Sequence, residues 1–309
     1  MTASTLKLLP VGLLRLASLL LLVTLSLSAC GPATPTATPT PSPTPLPPTP
    51  TPIPLAASVN GEGITAAEFE AELARFQFAQ TALGNNVSLE EATQRVMGDM
   101  IDQMLLAQVA QAEGFGVDDV TLQNRITSLA EQVGGADKLA DWQAQHGYTD
   151  ESFRLALGRQ IAAAWMRDKI IAGVPNTAEQ VHVRQILFYN GWEAANHNAD
   201  TARKVLDQLK SGADFNTLAA QYDPATQGEL GWFPRGYLLQ PQIEAAAFAL
   251  QPGQSSDVIQ TTLGYHILML LERDPNRILS PDARLTLQNQ ALENWLEEQR
   301  AKSTITLAP

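Results

Sequence analysis

Two stretches decide the fold. The first is Gly228-Glu229-Leu230-Gly231-Trp232-Phe233-Pro234-Arg235-Gly236-Tyr237. The second is Gln251-Pro252-Gly253-Gln254-Ser255-Ser256-Asp257-Val258-Ile259-Gln260-Thr261-Thr262-Leu263-Gly264-Tyr265-His266-Ile267-Leu268. Residues 229–233 and 258–261 predict short strands around a helix near 243–250, and 265–271 is the nearly continuous apolar run of a buried strand. Upstream, Val181-His182-Val183-Arg184-Gln185-Ile186-Leu187-Phe188 predicts another strand. Helical patterns follow over 200–209 and 214–222, with Ser211-Gly212 as the stop between them. Strand, two helices, strand, helix and two strands make an α+β domain of about 100 residues.

Outward toward the amino terminus the pattern becomes helical. Ala57-Ser58-Val59-Asn60-Gly61-Glu62-Gly63-Ile64 predicts a short strand and a turn, and Thr65 with Glu68 forms a capping box that opens a helix. Ser88 and Glu91 repeat the device. Val96, Met100, Met104 and Leu105 then recur at helical spacing until Gly114. Further helices are expected over 118–133, 136–146 and 149–171, giving an all-helical module closed by Gly173-Val174-Pro175. Past the α+β pattern, 281–302 predicts a last amphipathic helix with Leu285, Leu292, Trp295 and Leu296 on a common face. That face needs burial, and the helical module is its expected partner.

The first residues read as an export signal. Lys7 and Arg15 precede an apolar run over 16–27, too short for a comfortable membrane span, and Leu27-Ser28-Ala29-Cys30 follows. L-S-A-C resembles the lipobox of bacterial lipoproteins, which makes Cys30 the expected lipidation site; the competing reading is an uncleaved anchor helix ending in Cys. The Pro/Thr-rich stretch over 31–55 cannot bury a core, and at about 3.1 Å per residue it reaches roughly 80 Å. The expected layout is a signal peptide at 1–29, a linker at 30–56, a helical module at 57–175, the α+β domain at 176–274 and a carboxy-terminal helix at 275–309. A net charge of −12 and a pI near 4.8 argue against a nucleic-acid partner. His146, His182, His197, His266 and the single Cys have no spacing that suggests a metal, haem or iron–sulfur site.

The α+β segment resembles the parvulin family of peptidyl-prolyl isomerases. Four motifs carry this in order: V-x-V-R-Q-I-L-F, A-D-F-N-T-L-A-A-Q-Y-D-P, G-E-L-G-W-F-P-R-G-Y, and Q-P-G-Q-S-S-D-V-I-Q-T-T-L-G-Y-H-I-L. The helical module, opening V-N-G-E-G-I-T-A-A-E-F, is similar to the amino-terminal chaperone region of exported SurA- and PrsA-type foldases. The resemblance implies a small, mainly antiparallel sheet flanked by helices, and rotation about X–Pro bonds without a cofactor. It implies that Leu230, Leu238, Ile243 and Phe248 line the proline pocket, and that Asp223 is the acidic residue beside the twisting carbonyl. His266 is one of two family histidines, with the Thr261 hydroxyl in its network. Each has a plainer reading: core packing for the apolar four, an Asp-Pro turn for Asp223, a satisfied buried side chain for His266.

Two departures stand out. Gln185 occupies the position where the family commonly has His, and His182, three residues earlier, falls on the opposite face of a period-two strand. The loop over 223–231 is also shorter than usual, with one Gly before the acidic residue. The expected function is a peptidyl-prolyl cis/trans isomerase for exported proteins, lipid-anchored outside the cytoplasm. Its expected partners are unfolded or folding exported polypeptides with X-Pro bonds. The alternatives are a catalytically weak or inactive holdase of parvulin shape, and an extracytoplasmic lipoprotein with another interaction role.

Overall fold

A computed structural model describes residues 53–189, 199–222 and 226–308. The expected signal peptide, nearly all of the expected linker, Cys30 and Asp223 lie outside these residues. The described part opens with a hairpin, β1 (Leu55–Val59) and β2 (Glu62–Thr65), joined through Asn60-Gly61, a dipeptide that tight hairpin turns favour. Helix α1 (Ala66–Ala82) starts in a full capping box: the Glu68 amide donates to Thr65 Oγ1 at 3.1 Å, and the Thr65 amide donates to the Glu68 carboxylate at 2.9 Å. At α2 (Leu89–Ala112), Ser88 makes one side of the expected box by accepting the Glu91 amide. Helices α3 (Asp119–Val133), α4 (Ala136–Gln145) and α5 (Asp150–Ala172) follow.

Packing in this module is set by small and apolar positions of α2. Ile101, Met104 and Leu105 cover the hairpin residues Ala57, Val59 and Ile64. Leu106, Ala107 and Ala110 meet Ala162, Ala163 and Met166 of α5, where the alanines let the two helices approach closely.

The second half is built on β3 (Thr177–Tyr189). Helices α6 (Ala199–Lys210) and α7 (Phe215–Tyr222) lead to β4 (Glu229–Pro234), α8 (Pro241–Ala249), β5 (Ile259–Gln260) and β6 (Gly264–Ile278). The sheet order is β4-β3-β6-β5 and every pairing is antiparallel. Alternation along β3 and β6 sorts the core into two faces. Val181, Val183, Leu268 and Leu270 pack with Phe233, Ile243 and Phe248 on the α8 side. Ile186, Phe188 and Ile267 pack with Val205, Phe215 and Leu218 of α6 and α7 on the other. This is the expected α+β class.

Three features depart from the sequence reading. Strand β6 does not stop where the apolar run ends near 271, but continues to Ile278, which pairs with Thr177. Ladder bonds need a partner backbone rather than an apolar side chain, so Arg273 and Asp274 extend the strand. The amino-terminal module is not all-helical either. After α9 (Pro281–Lys302), a short strand β7 (Ile305–Leu307) pairs with β1 and completes a three-stranded sheet in the order β2-β1-β7.

The third departure is on α9. Leu292, Trp295 and Leu296 pack on the α2–α5 cluster, and Arg300 donates to Asp102 at 2.6 Å, but Leu285 is 57% exposed. It lies two turns, about 10 Å, before Leu292, where the partner surface gives it no cover. Between these ends, Leu287 and Gln290 lie against Gly236 in the loop between β4 and α8.

Candidate active site

The polar centre follows from strand register. Across the β3–β6 ladder Gln185 faces Leu268 and Leu187 faces His266, so Gln185 and His266 are diagonal neighbours on one face of the sheet. It is the face that carries Val183 and Leu268's neighbour Leu270 two residues further along each strand. His266 Nδ1 lies 2.9 Å from Gln185 Oε1, and His266 Nε2 lies 2.8 Å from Thr261 Oγ1. A carboxamide oxygen only accepts, so Nδ1 carries the proton and donates to Gln185 Oε1. Thr261 Oγ1 in turn accepts the Leu263 amide at 3.1 Å, and the Thr261 amide closes the turn onto the Gly264 carbonyl at 2.8 Å. His266 is 3% exposed, and burial holds its pKa down at about 4. The imidazole is therefore neutral at neutral pH, and with its proton on Nδ1 it leaves Nε2 to accept the Thr261 hydroxyl.

An apolar wall continues the same face. Ile243 and Phe248 of α8 are buried in the cluster, while Leu230 of β4 and Leu238 of the following loop pack on it half-buried. Leu230 and Leu238 therefore keep the accessible surface, with Ile243 and Phe248 beneath them. Phe233, which the sequence reading did not single out, is fully buried and meets Phe248 edge-on at 6.2 Å. Its strand position beside Trp232 was the available signal. Arg235 caps the Phe248 ring at 4.0 Å. His182 is away from this centre: its Nε2 is 2.6 Å from Glu229 Oε1, and its ring stacks on Trp232.

Residues 186–272 match the family described as the PPIC-type PPIase domain. This segment is similar to PPIC-type PPIase domains. Residues 18–167 match the SurA-like N-terminal domain. Among similar proteins, the foldase protein PrsA of Halalkalibacterium halodurans is 27% identical over 60% of this chain and 59% of its own length. The chaperone SurA of Ralstonia nicotianae is 27% identical over 58% of this chain and 42% of its own. The chain thus spans less than two thirds of these curated relatives. A solved structure of the peptidylprolyl isomerase PrsA from Bacillus cereus aligns at 22% identity over 77% of this chain and 86% of that one, with a TM-score of 0.44.

Within the matching segment His266 is buried and neutral at neutral pH. An X–Pro amide rotates against a barrier of roughly 18–20 kcal/mol because resonance polarises the planar form. Twisting removes that polarisation, so surroundings of low polarity favour the twisted amide over the planar one.

Proposed function

We propose that the chain is a peptidyl-prolyl cis/trans isomerase that assists the folding of exported polypeptides. One observation carries this reading: within the segment that matches the PPIC-type domain, a buried His266 meets Gln185 and Thr261 on the sheet face whose apolar cluster Leu230 and Leu238 cover half-buried. In this reading Ile243 and Phe248 form the floor of the proline slot. Asp223 stands beside the twisting carbonyl, Gln185 orients His266 in place of a second histidine, and no cofactor takes part. Residues 57–175 form the module that cradles unfolded chains, 176–274 the isomerase domain and 275–309 the segment that closes the module. The names of the foldase and chaperone relatives support polypeptide clients, the export signal read over 1–29 supports clients outside the cytoplasm, and Cys30 is the lipid attachment point that holds the protein at the membrane.

A protease-coupled assay on an X-Pro peptide tests the proposal. Wild type accelerates isomerisation, Asp223→Ala lowers turnover, and Gln185→His raises it by restoring a ring that can be protonated and can switch tautomers, which Gln cannot. Wild type and Gln185→His that both fail to accelerate the reaction would leave a peptide-binding cradle of parvulin shape.

A further inference from the structure

We propose that Glu244 is a positioning residue for the proline slot, holding the loop over 235–240 so that Leu238 stays seated against Ile243. The inference rests on reading the Leu238 cleft as that slot. One carboxylate oxygen serves three consecutive amides: Glu244 Oε2 accepts from Gly236 at 2.8 Å, Tyr237 at 3.1 Å and Leu238 at 3.4 Å. Successive amides turned to one side make an anion-binding concavity. Here the anion comes from the chain itself, on the residue that follows Ile243 in α8.

The loop is closed from its other side by α9. A Cβ at Gly236 would fall 2.3 Å from Gln290 Oε1 and 3.2 Å from Leu287 Cδ2. The segment carrying Leu238 is thus held between a carboxylate and a helix. Removal of the carboxylate leaves three half-buried amides without an acceptor, and the loop must open to hydrate them. Leu238 moves with it. Because Glu244 acts on the lip of the slot and not on the His266 network, its loss weakens the grip on proline more than the twist.

The test compares Glu244→Ala and Glu244→Gln in the full chain by amide hydrogen exchange and by the protease-coupled assay on an X-Pro peptide. In the Ala variant the amides of Gly236, Tyr237 and Leu238 exchange at least about tenfold faster while those of Val181 and Val183 keep their protection. Its KM rises roughly fivefold with kcat within about twofold of wild type. The Gln variant keeps an acceptor oxygen and shows less than about half of both effects. Should the Ala variant not fold, Glu244→Asp, one methylene shorter, takes its place with the same expectation. Unchanged exchange at 236–238, a fall in kcat at constant KM, or a Gln variant as impaired as Ala would each overturn the proposal. A wild type without activity defeats the isomerase reading instead. The exchange measurement and the Kd of the same peptide by fluorescence anisotropy then decide the role of Glu244.

Discussion

The Gln185 amide donates to the Gly228 carbonyl at 2.7 Å, and the two backbones are so close that a Cβ at Gly228 would fall 2.0 Å from the Gln185 carbonyl oxygen. Gly228 also has a φ of +76°, where an L side chain is strained. This contact seats the strand residue whose side chain orients His266.

Gly228→Ala is therefore expected to destabilise the fold by at least about 2 kcal/mol in urea unfolding, from strain plus displacement of β3. Residual folded protein should lose roughly tenfold or more in kcat/KM, because Gln185 shifts relative to His266. Gly212→Ala is the control: its φ is +97° but nothing lies within 4 Å of the added Cβ, so it should show the strain without the loss of activity.

The buried His266 predicts a stability that depends on pH. Its folded pKa of about 4 lies below the ordinary 6.5, so the unfolded chain binds more protons between these values. The contribution is complete above pH 6.5 and is lost as pH falls through 4, amounting to roughly 3 kcal/mol over that window. His266→Asn should flatten the slope of unfolding free energy between pH 6.5 and 4. An equal slope in wild type and variant would assign the dependence to other groups.

On α9 the contrast is between Trp295 and Leu285. Trp295→Ala removes packing from the α2–α5 cluster and should cost about 2 kcal/mol, less than a fully buried ring because Trp295 is only partly covered. Leu285→Ala, at an exposed position, should stay within about 0.5 kcal/mol of wild type. Denaturant midpoints of the two variants decide it.

Cys30→Ser should release the protein from membranes and leave its precursor unprocessed, read by cell fractionation and by mobility on a gel. Membrane retention and mobility equal to wild type would reject lipid attachment at this residue.

Local chemistry made the helices legible before any coordinates. A Thr, Asp or Ser followed by a helical pattern gives the first amides an acceptor within one turn, and Thr65, Ser88, Asp118 and Thr149 each cap a helix in the structure. The face assignment along β3 was legible for the same reason. Side-chain alternation is a property of one strand, and it separates His182 from Gln185 without knowledge of any neighbour.

What no single segment encodes was decided by tertiary structure. Ile305, Thr306 and Leu307 become a strand only because β1 presents an unpaired edge to them, and the tail of β6 is set by the length of β3 rather than by its own polarity. Leu285 has the helical phase of a core residue and lies in solvent because its position along α9 meets no partner. The bond between Gln185 and His266 joins residues 81 apart, and it depends on a cross-strand register that hydrogen bonding between two distant strands selects. The sequence by itself determined which residues form each helix and which side of each strand is apolar, because those preferences act over one turn or one pleat. Which polar side chains meet on one face of the sheet, and which loop amides Glu244 accepts from, was settled only when the sheet closed.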